Sequence, residues 1–295
     1  MQYVKLGGSD LTVSRISLGC MSLGVEHAEN TRLIHHALDL GVNMLDTADL
    51  YDKGLNEETV GKAIKGRREK VILATKVGNQ WRPDGSGWDW NPSKTYIKQA
   101  VHESLRRLQT DYIDLYQLHG GTLDDPTEES ISAFEELKQE GHIRYYGISS
   151  IRPNVIRKWL QQANLTSIMS QYSLLDRRPE EQTFDWIKEA GVGVLVRGGV
   201  AKGLLAGKVA KPYLGHSQES IQKLQDTMQQ MGVKPAHIAI QFALRNPSVS
   251  TVVMGASSKK QISENVEAVY VSSLSEEEWG EITSLIPAMK YENHR

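Results

Sequence analysis

One alternation repeats along the whole chain. Short runs of apolar and β-branched residues are each followed by a longer segment in which apolar residues recur with helical spacing. The apolar runs predict eight strands, at residues 16–18, 42–45, 71–74, 113–118, 143–148, 167–170, 192–196 and 251–253. The longer segments predict helices over residues 30–40, 56–66, 93–108, 127–139, 153–162, 180–190 and 259–268, and one more that ends near Leu244.

Residues that favour helix ends lie at several of these boundaries. Asn30 is predicted to cap the first helix, and Gly41 follows its last apolar residue. Ser93 is predicted to cap the third helix, and Gly141 to end the fourth.

Eight strand–helix units predict an α/β fold closed into a barrel. The strands show little in–out alternation and are separated by helices, which is typical of a parallel sheet covered by helices. Eight is the number of strands that closes such a barrel. Residues 1–15 precede the first unit and predict a hairpin that turns at residues 7–10. The prediction is therefore one domain over residues 1–295, a single (β/α)8 TIM barrel with an N-terminal β-hairpin cap.

A doubly wound open sheet is the alternative fold. Its glycine fingerprint is missing, because Val196 stands where the third glycine would follow Gly191 and Gly193, and that segment leads into a strand. A phosphate loop of the Walker type also fails, since residues 203–208 are one residue too short. These observations favour the barrel.

Composition and charge narrow the class of protein. The hydrophobic fraction is 39% and 25 of the 295 residues are glycine, enough for a large core without disulfides or a metal. The formal net charge is −2, with no long block of one sign, which argues against a nucleic-acid partner or a polybasic membrane surface. His35 and His36 are adjacent in a predicted helix, which is not metal-ligand spacing, so we expect no metal site.

The single cysteine and the apolar pattern also bear on location. Cys20 has no partner for an internal disulfide, which indicates a reducing compartment. The first residues contain no apolar run typical of a signal peptide, and no stretch of about 18 uncharged apolar residues occurs. We therefore expect a cytoplasmic protein that contacts neither nucleic acid nor membrane and acts as a monomer.

Ionisable residues stand where three neighbouring strands end. Asp46 ends the second strand, with Tyr51 a few residues later, Lys76 ends the third and His119 follows the fourth. The functional groups of such barrels lie at the C-terminal ends of the strands. Each of these residues alone has an ordinary structural explanation, as a loop cap, a solvated strand end or a half-buried histidine. Three adjacent strands ending in this way favour a catalytic site.

These four side chains form a coherent chemical set. A tyrosine has an unperturbed pKa of about 10, and a neighbouring ammonium lowers that pKa by stabilising the phenolate. An aspartate paired with Lys76 would keep the lysine charged and in position. A histidine opposite can orient a carbonyl oxygen or help to relay a proton. The set suits general acid catalysis at a carbonyl oxygen, with reducing power from a cofactor.

At this point the chain resembles the aldo-keto reductases over essentially its whole length. The opening at residues 3–21 is similar to that family's N-terminal cap and first strand, and residues 41–51, 72–76 and 105–119 are similar to its signature segments. The resemblance implies that Tyr51 donates the proton, that Lys76 and Asp46 tune it, and that His119 completes the set. It also implies reduction of a small carbonyl substrate with NADP(H) as cofactor.

The resemblance further implies a set of cofactor contacts, assigned position by position. Gly147 and the two serines after it are similar to a Gly-x-Ser-Asn stretch that contacts the nicotinamide amide, and residues 197–208 are similar to the pyrophosphate loop. The start of the last predicted helix is similar to the adenosine-phosphate site, where backbone N–H groups favour an anion. The implied contacts are Gly19, Cys20, Met21, Asp46, Ser149, Ser150, Gln171, Tyr172, Arg197, Gly198, Gly199, Val200, Lys202, Gly203, Leu204, Lys208, Gly255, Ala256, Ser257, Lys259, Gln261, Glu264 and Asn265.

Three departures from the family pattern qualify this assignment. Ser150 replaces the usual asparagine, and Gly198 and Gly199 replace bulkier residues of the loop. Gln171 is expected at the amide, while Tyr172 is expected near the aromatic that stacks on the ring. Gln261 stands where some members have an arginine, which leaves the choice between NADPH and NADH open.

The substrate wall is assigned from the chain itself. Trp81, Trp88 and Trp90 follow the third strand, and they either line an apolar substrate wall or cover barrel helices. Trp81 is assigned to substrate together with Tyr51 and His119.

Two other functions use the same barrel. Lys76 could form a Schiff base, as in an aldolase-type lyase. A regulatory subunit that senses NADPH with little turnover would keep the same four residues. The retention of Tyr51 and His119 beside a full candidate cofactor site favours the reductase over the lyase.

Overall fold

The computed structural model describes residues 1–24 and 26–295. Its strands are β1 (Tyr3–Lys5), β2 (Thr12–Ser14), β3 (Ile16–Gly19), β4 (Met44–Asp46), β5 (Ile72–Val77), β6 (Asn79–Trp81), β7 (Trp88–Trp90), β8 (Ile113–Leu118), β9 (Ile143–Ser149), β10 (Ser167–Gln171), β11 (Gly193–Arg197) and β12 (Val249–Gly255). Eight of them form a closed parallel barrel in the order β3, β4, β5, β8, β9, β10, β11 and β12, and β12 pairs with β3. The predicted (β/α)8 barrel is confirmed.

Ten α-helices are described around this barrel. They are α1 (His27–Asp39), α2 (Leu55–Ile64), α3 (Lys94–Leu108), α4 (Thr127–Gln139), α5 (Pro153–Gln162), α6 (Thr183–Glu189), α7 (Gln218–Gln230), α8 (Pro235–Arg245), α9 (Lys259–Glu267) and α10 (Glu276–Leu285). All eight predicted helices are present, and the side chain of Ser93 caps α3 as expected. The helices α7 and α10 were not predicted. No helix among the described residues is long and apolar enough to cross a membrane.

The boundaries of two helices differ from the prediction. The helix α1 begins at His27 with Glu26 at its N-cap position, so Asn30 is not the cap. Asn30 instead lies one turn inside and donates from its side chain to the carbonyl of Gly24. The helix α6 is shorter than predicted, because residues 178–181 form a separate 3₁₀ turn before it.

Two hairpins flank the barrel at opposite ends. The predicted hairpin β1–β2 closes the N-terminal end, where Gly7 has φ +54° and lies so near Thr166 and Gly193 that a Cβ would approach the Thr166 carbonyl to 2.7 Å. The second hairpin, β6–β7, was not predicted. It leaves the barrel directly after β5 and carries the three tryptophans expected near the substrate.

The barrel interior changes from apolar to polar toward the C-terminal ends of the strands. Met44, Ala74 and Leu115 belong to one buried apolar cluster inside the barrel. Two residues further along, β4, β5 and β8 place Asp46, Lys76 and Gln117, and all three side chains are buried. Because alternate strand residues point to the same side, these polar groups form the next layer above the apolar one. This layer is the floor of the site.

Candidate active site

Lys76 is the centre of a buried polar group. Its Nζ donates to Asp46 Oδ2 at 2.7 Å and to the carbonyl of Thr47 at 2.7 Å, and it lies 3.4 Å from the hydroxyl of Tyr51. Burial lowers the pKa of Lys76, but the charge of Asp46 and the contact with Tyr51 outweigh burial, so the net shift is upward. Lys76 is therefore a protonated ammonium that bridges the aspartate and the tyrosine.

Tyr51 is held by a turn of unusual backbone geometry. Asp52, Lys53 and Gly54 follow it with φ of 49°, 55° and 87°, a left-handed run that favours glycine at its last position. Arg107 lies directly beneath Gly54, where a Cβ would approach its Cδ to 2.7 Å. Arg107 is in turn paired with the buried Glu57 at 2.7 Å. The turn that follows Tyr51 is thus packed against Arg107.

The net pKa shift of Tyr51 differs from the direction expected from Lys76 alone. Burial raises the pKa of Tyr51, and the positive charge of Lys76 opposes this only in part. The negative charge of Asp46 adds to the upward shift. Lys76 does stabilise the phenolate as expected, but in this closed environment Tyr51 remains a protonated phenol.

His119 lies across from Tyr51. The two rings meet edge to face with centroids 5.9 Å apart. Burial, together with the charges of Lys76 and Arg197, lowers the pKa of His119 to about 3. The imidazole is therefore neutral at ordinary pH and can serve as one donor and one acceptor. This favours orientation of a carbonyl oxygen over relay of a proton through a charged ring.

The end of β11 contributes a positive charge to the site. Arg197 was expected to open the pyrophosphate loop, but its charge acts on Tyr51 and His119 and burial lowers its pKa. Its Nη1 donates to Gln171 Oε1 at 2.8 Å. Arg197 and Gln171 thus form a pair at the edge of the catalytic group.

Tyr172 was expected near the aromatic that stacks on the nicotinamide ring, and it lies buried in the core. Its side chain is only 2% exposed and packs between Phe184 and Phe242, with centroids 4.9 and 5.3 Å away. Its hydroxyl donates to Glu180 at 2.6 Å. Tyr172 follows the last residue of β10, and its side chain packs in the core, whereas the side chain of Gln171 reaches Asp176 and Arg197.

The loop after β11 fits a negatively charged dinucleotide. Ala201, Lys202 and Gly203 have φ of 46°, 58° and 92°, and the side chain of Lys208 packs against Gly203 where a Cβ would approach its Cδ to 2.7 Å. Lys202 and Lys208 are both exposed on this tight turn. They supply positive charge at the C-terminal edge of the barrel.

The remaining positions of the loop and the first strand vary in exposure. Gly198 is exposed with φ +73°, Gly199 and Leu204 are buried, and Val200 is half-buried. At the end of β3, Cys20 is fully buried and burial raises the pKa of its thiol, so it is not a nucleophile. The residues on either side of Cys20 differ in exposure, since Gly19 is buried and Met21 is 65% exposed.

The serines after β9 are buried. Ser149 and Ser150 are 8% and 6% exposed. The hydroxyl of Ser150 accepts from the backbone N–H of Arg152 at 3.2 Å. Ser150 therefore shapes the start of α5 in addition to lying at the expected amide position.

The start of α9 combines capped backbone N–H groups with two exposed lysines. Ser258 caps the helix, and Gln261 Oε1 accepts from the backbone N–H of Ser257 at 2.8 Å. Lys259 and Lys260 are both exposed at its first two positions. Of the other assigned positions in this segment, Gly255 is exposed, Ala256 is buried, and Glu264 and Asn265 are half-buried.

The hairpin β6–β7 contacts the segment before Tyr51 and the segment after His119. Trp81 donates to the carbonyl of Leu50 at 3.3 Å, directly before Tyr51. Trp90 packs over Gly78 and Gly120, where a Cβ on Gly120 would approach its ring to 3.1 Å, and it donates to Asp125 at 2.8 Å. The glycine after His119 is thus explained by the ring of Trp90. Trp88 is 46% exposed.

Two residues of the site region were not found from the sequence. Asp176 is 1% exposed, accepts from Gln171 at 2.8 Å and is paired with Arg178 through two contacts of 2.7 Å. The available signal was a charged run, Asp176 to Arg178, five residues after β10 ends at the functional edge of the barrel. Among the described residues, no group of three or more His, Cys, Asp or Glu side chains could hold a metal ion.

Comparison with known proteins identifies this arrangement. The model of the Aldo/keto reductase family matches residues 15–287. The chain belongs to this family. It is 49% identical to the "Uncharacterized oxidoreductase YqkF" of Bacillus subtilis (strain 168), with full coverage of both chains, and 30% identical to the "NADH-specific methylglyoxal reductase" of Escherichia coli (strain K12), with 92% and 94% coverage.

A solved structure shows the same fold. The holo form of aldo-keto reductase AKR11C1 from Bacillus halodurans superposes with a TM-score of 0.96 at 54% identity, covering 100% of this chain and 99% of that one. Membership of the family makes the protein an oxidoreductase of small carbonyl compounds that uses a nicotinamide cofactor.

Proposed function

We propose that this protein reduces aldehydes or ketones to alcohols with a hydride from NADPH, and that Tyr51 donates the proton. The observation that carries the proposal is the contact of one buried ammonium, that of Lys76, with both Asp46 and the hydroxyl of Tyr51. A general acid near a carbonyl oxygen is worth roughly two to four orders of magnitude in rate.

Each protein group has one role in this reaction. The bound cofactor supplies a hydride to the carbonyl carbon. Tyr51 gives its proton to the carbonyl oxygen, while Lys76 stabilises the phenolate that remains. Neutral His119 donates a hydrogen bond that orients the carbonyl oxygen beside the phenol. Asp46 acts through Lys76 by holding its charge and position.

The cofactor would lie along the C-terminal edge of β9 to β12. Gln171 and the serines after Gly147 would hold the nicotinamide amide, the loop with Lys202 and Lys208 the pyrophosphate, and the start of α9 the adenosine phosphate. The lysines at α9 favour NADPH, which carries an additional phosphate. A relative named as NADH-specific makes this preference a point for direct test.

The lyase alternative requires a different state of Lys76. A Schiff base needs a neutral amine that can reach substrate. Here the amine is fully buried, protonated and tied to Asp46 and Thr47. This environment weighs against the lyase. The remaining alternative, a subunit that binds NADPH with little turnover, uses the same residues and differs only in rate.

Residues 1–295 act as one domain and as a monomer in this proposal, because all four catalytic groups come from one barrel.

We assign Trp81 to the substrate entrance. Its Nε1 reaches the carbonyl before Tyr51 and Lys53 lies over its ring at 5.2 Å, so the indole borders the catalytic tyrosine.

The deciding experiment is a panel of aldehydes and ketones followed by NADPH absorbance, with NADH in parallel. Turnover with any carbonyl at a rate above that of the Tyr51→Phe variant supports the proposal. Tight NADPH binding without turnover across the panel would support the sensing subunit instead. Borohydride trapping of a lysine adduct would favour the lyase.

A further inference from the structure

The last residues of the chain are tied to the loops at the catalytic end of the barrel. We call residues 289–295 the C-terminal tail. Glu181 accepts from the backbone N–H of Tyr291 at 3.1 Å and is paired with Arg295. The backbone N–H of Asn154, in the first turn of α5, donates to the carbonyl of His294 at 2.8 Å. The tail therefore joins the loops that follow β9 and β10.

Tyr291 connects this tail to a charged pair. Its side chain is 7% exposed, and the guanidinium of Arg178 lies over its ring at 5.1 Å. A guanidinium held on an aromatic face is restricted in orientation. Arg178 uses two nitrogens to grip both oxygens of Asp176, each at 2.7 Å, so the position of Tyr291 bears on the position of that carboxylate.

The same carboxylate reaches the catalytic pocket through one more side chain. Asp176 Oδ2 accepts from Gln171 Nε2 at 2.8 Å, and Gln171 Oε1 accepts from Arg197 at 2.8 Å. Since Asp176 accepts only, the amide of Gln171 must present its nitrogen to Asp176 and its oxygen to Arg197. Asp176 therefore sets which way the amide faces, and Arg197 acts electrostatically on Tyr51 and His119.

We propose that Asp176, Arg178 and Tyr291 are positioning residues through which the C-terminal tail orients Gln171 and Arg197 at the nicotinamide end of the cofactor site. This inference rests on the proposed function. None of the three touches the reacting atoms, so each acts through its neighbour. Losing one should disturb the nicotinamide end and leave the adenosine end, at α9, unaffected.

A matched control is available at the opposite end of the barrel. Arg68 and Asp114 form a pair at 2.7 Å with side chains 16% and 3% exposed, against 19% and 1% for Arg178 and Asp176. Arg178→Gln and Arg68→Gln therefore each remove one arginine from a buried carboxylate. Asp114 then keeps Arg144 at 3.0 Å, and Asp176 keeps Gln171 at 2.8 Å. Tyr291→Ala removes the ring under Arg178, whereas Tyr291→Phe keeps it.

The experiment measures the affinities of two ligands and determines one crystal structure. NADPH and adenosine 2′,5′-bisphosphate, which lacks the nicotinamide, are titrated against each variant by protein fluorescence. We expect Arg178→Gln and Tyr291→Ala to weaken NADPH binding by about tenfold, the scale of one lost hydrogen bond, with the bisphosphate unchanged. Arg68→Gln and Tyr291→Phe should match the unaltered protein. In a crystal structure of ligand-free Arg178→Gln, the contact between Arg197 and Gln171 should be lost.

Three results would overturn the positioning role. They are equal weakening of both ligands, equal behaviour of Arg178→Gln and Arg68→Gln, and an unchanged contact between Arg197 and Gln171 in the variant crystal. The crystal comparison needs no cofactor. Failure of the unaltered protein to bind NADPH would therefore contradict the proposed cofactor, while the variant crystal would still decide the positioning role.

Discussion

The ammonium of Lys76 lies 2.7 Å from the carboxylate of Asp46, with the two side chains 0% and 5% exposed. Removing one partner of a buried ion pair leaves an uncompensated charge and costs about 3–5 kcal/mol, whereas removing both charges is often nearly neutral. The effect of this pair on stability can therefore be measured apart from its effect on catalysis. Stability depends on the balance of charge between Lys76 and Asp46, whereas the proposed catalysis depends on the ammonium of Lys76 beside Tyr51.

Lys76→Met should lose most activity and also destabilise the fold, by about 3–5 kcal/mol, because Asp46 is left unpaired. The double variant Lys76→Met with Asp46→Asn should regain most of that stability while remaining inactive. Denaturant unfolding and turnover measured on the same preparations check both statements. A near-normal rate in either variant at neutral pH would contradict the role of Lys76.

Tyr51→Phe removes only a hydroxyl, so the ring still packs against its surroundings and the barrel should remain folded. Turnover should fall by roughly two or more orders of magnitude, the scale of a lost general acid. NADPH affinity should stay within a factor of about two, since only the proton donor is missing. Steady-state rates and a fluorescence titration give the two numbers. Substantial carbonyl reduction by this variant would remove Tyr51 from its role.

The sequence was sufficient for the barrel, and it placed the four proposed catalytic groups at strand ends, because both follow from local rules. Apolar runs predict the strands, and the C-terminal residues of parallel strands lie at one edge of the sheet. Alternation then brings Asp46 and Lys76 into one layer. The missed helix α7 has polar residues at most positions, so its apolar stripe of Ile221, Leu224 and Met228 is narrow.

The directions of the side chains at the proposed cofactor edge depend on packing across the sheet. Tyr172 and Arg197 each lie at a strand end, and the chain alone did not say which would face the pocket. Phe184 and Phe242 draw Tyr172 into the core, while Gln171 holds Arg197 at the site. These contacts join residues far apart in the chain, so no local pattern reveals them.

The pH dependence of the reaction rate should show no titration of a histidine on its acid side. With the pKa of His119 lowered to about 3, the ring is neutral in both reactant and resting states across roughly pH 5 to 8. The raised pKa of Tyr51 keeps its proton through the same range, and activity should decline only as pH rises above 10. Rate measurements from about pH 5 to above pH 10 test both expectations. A transition near pH 6.5 that disappears in His119→Asn would contradict the assignment.

The 2′-phosphate of NADPH should meet Lys259 or Lys260. Both are exposed at the start of α9, where backbone N–H groups and the helix dipole favour an anion. Successive helix residues point in different directions, so we expect one lysine to dominate. A charge-assisted hydrogen bond is worth about 1.5–3 kcal/mol, which corresponds to one to two decades in affinity.

Lys259→Ala and Lys260→Ala, alone and combined, should therefore weaken NADPH binding by up to about one to two decades and leave NADH binding nearly unchanged. The difference should shrink as salt rises, because exposed charges are screened. Titration of both cofactors by protein fluorescence at low and high salt measures this. The side chain of Gln261 already accepts from the N–H of Ser257, so this N–H is not available to the 2′-phosphate. We therefore expect the lysines to provide the discrimination between NADPH and NADH. Equal loss of both cofactors, or no loss of either, would show that they form only a solvated helix face.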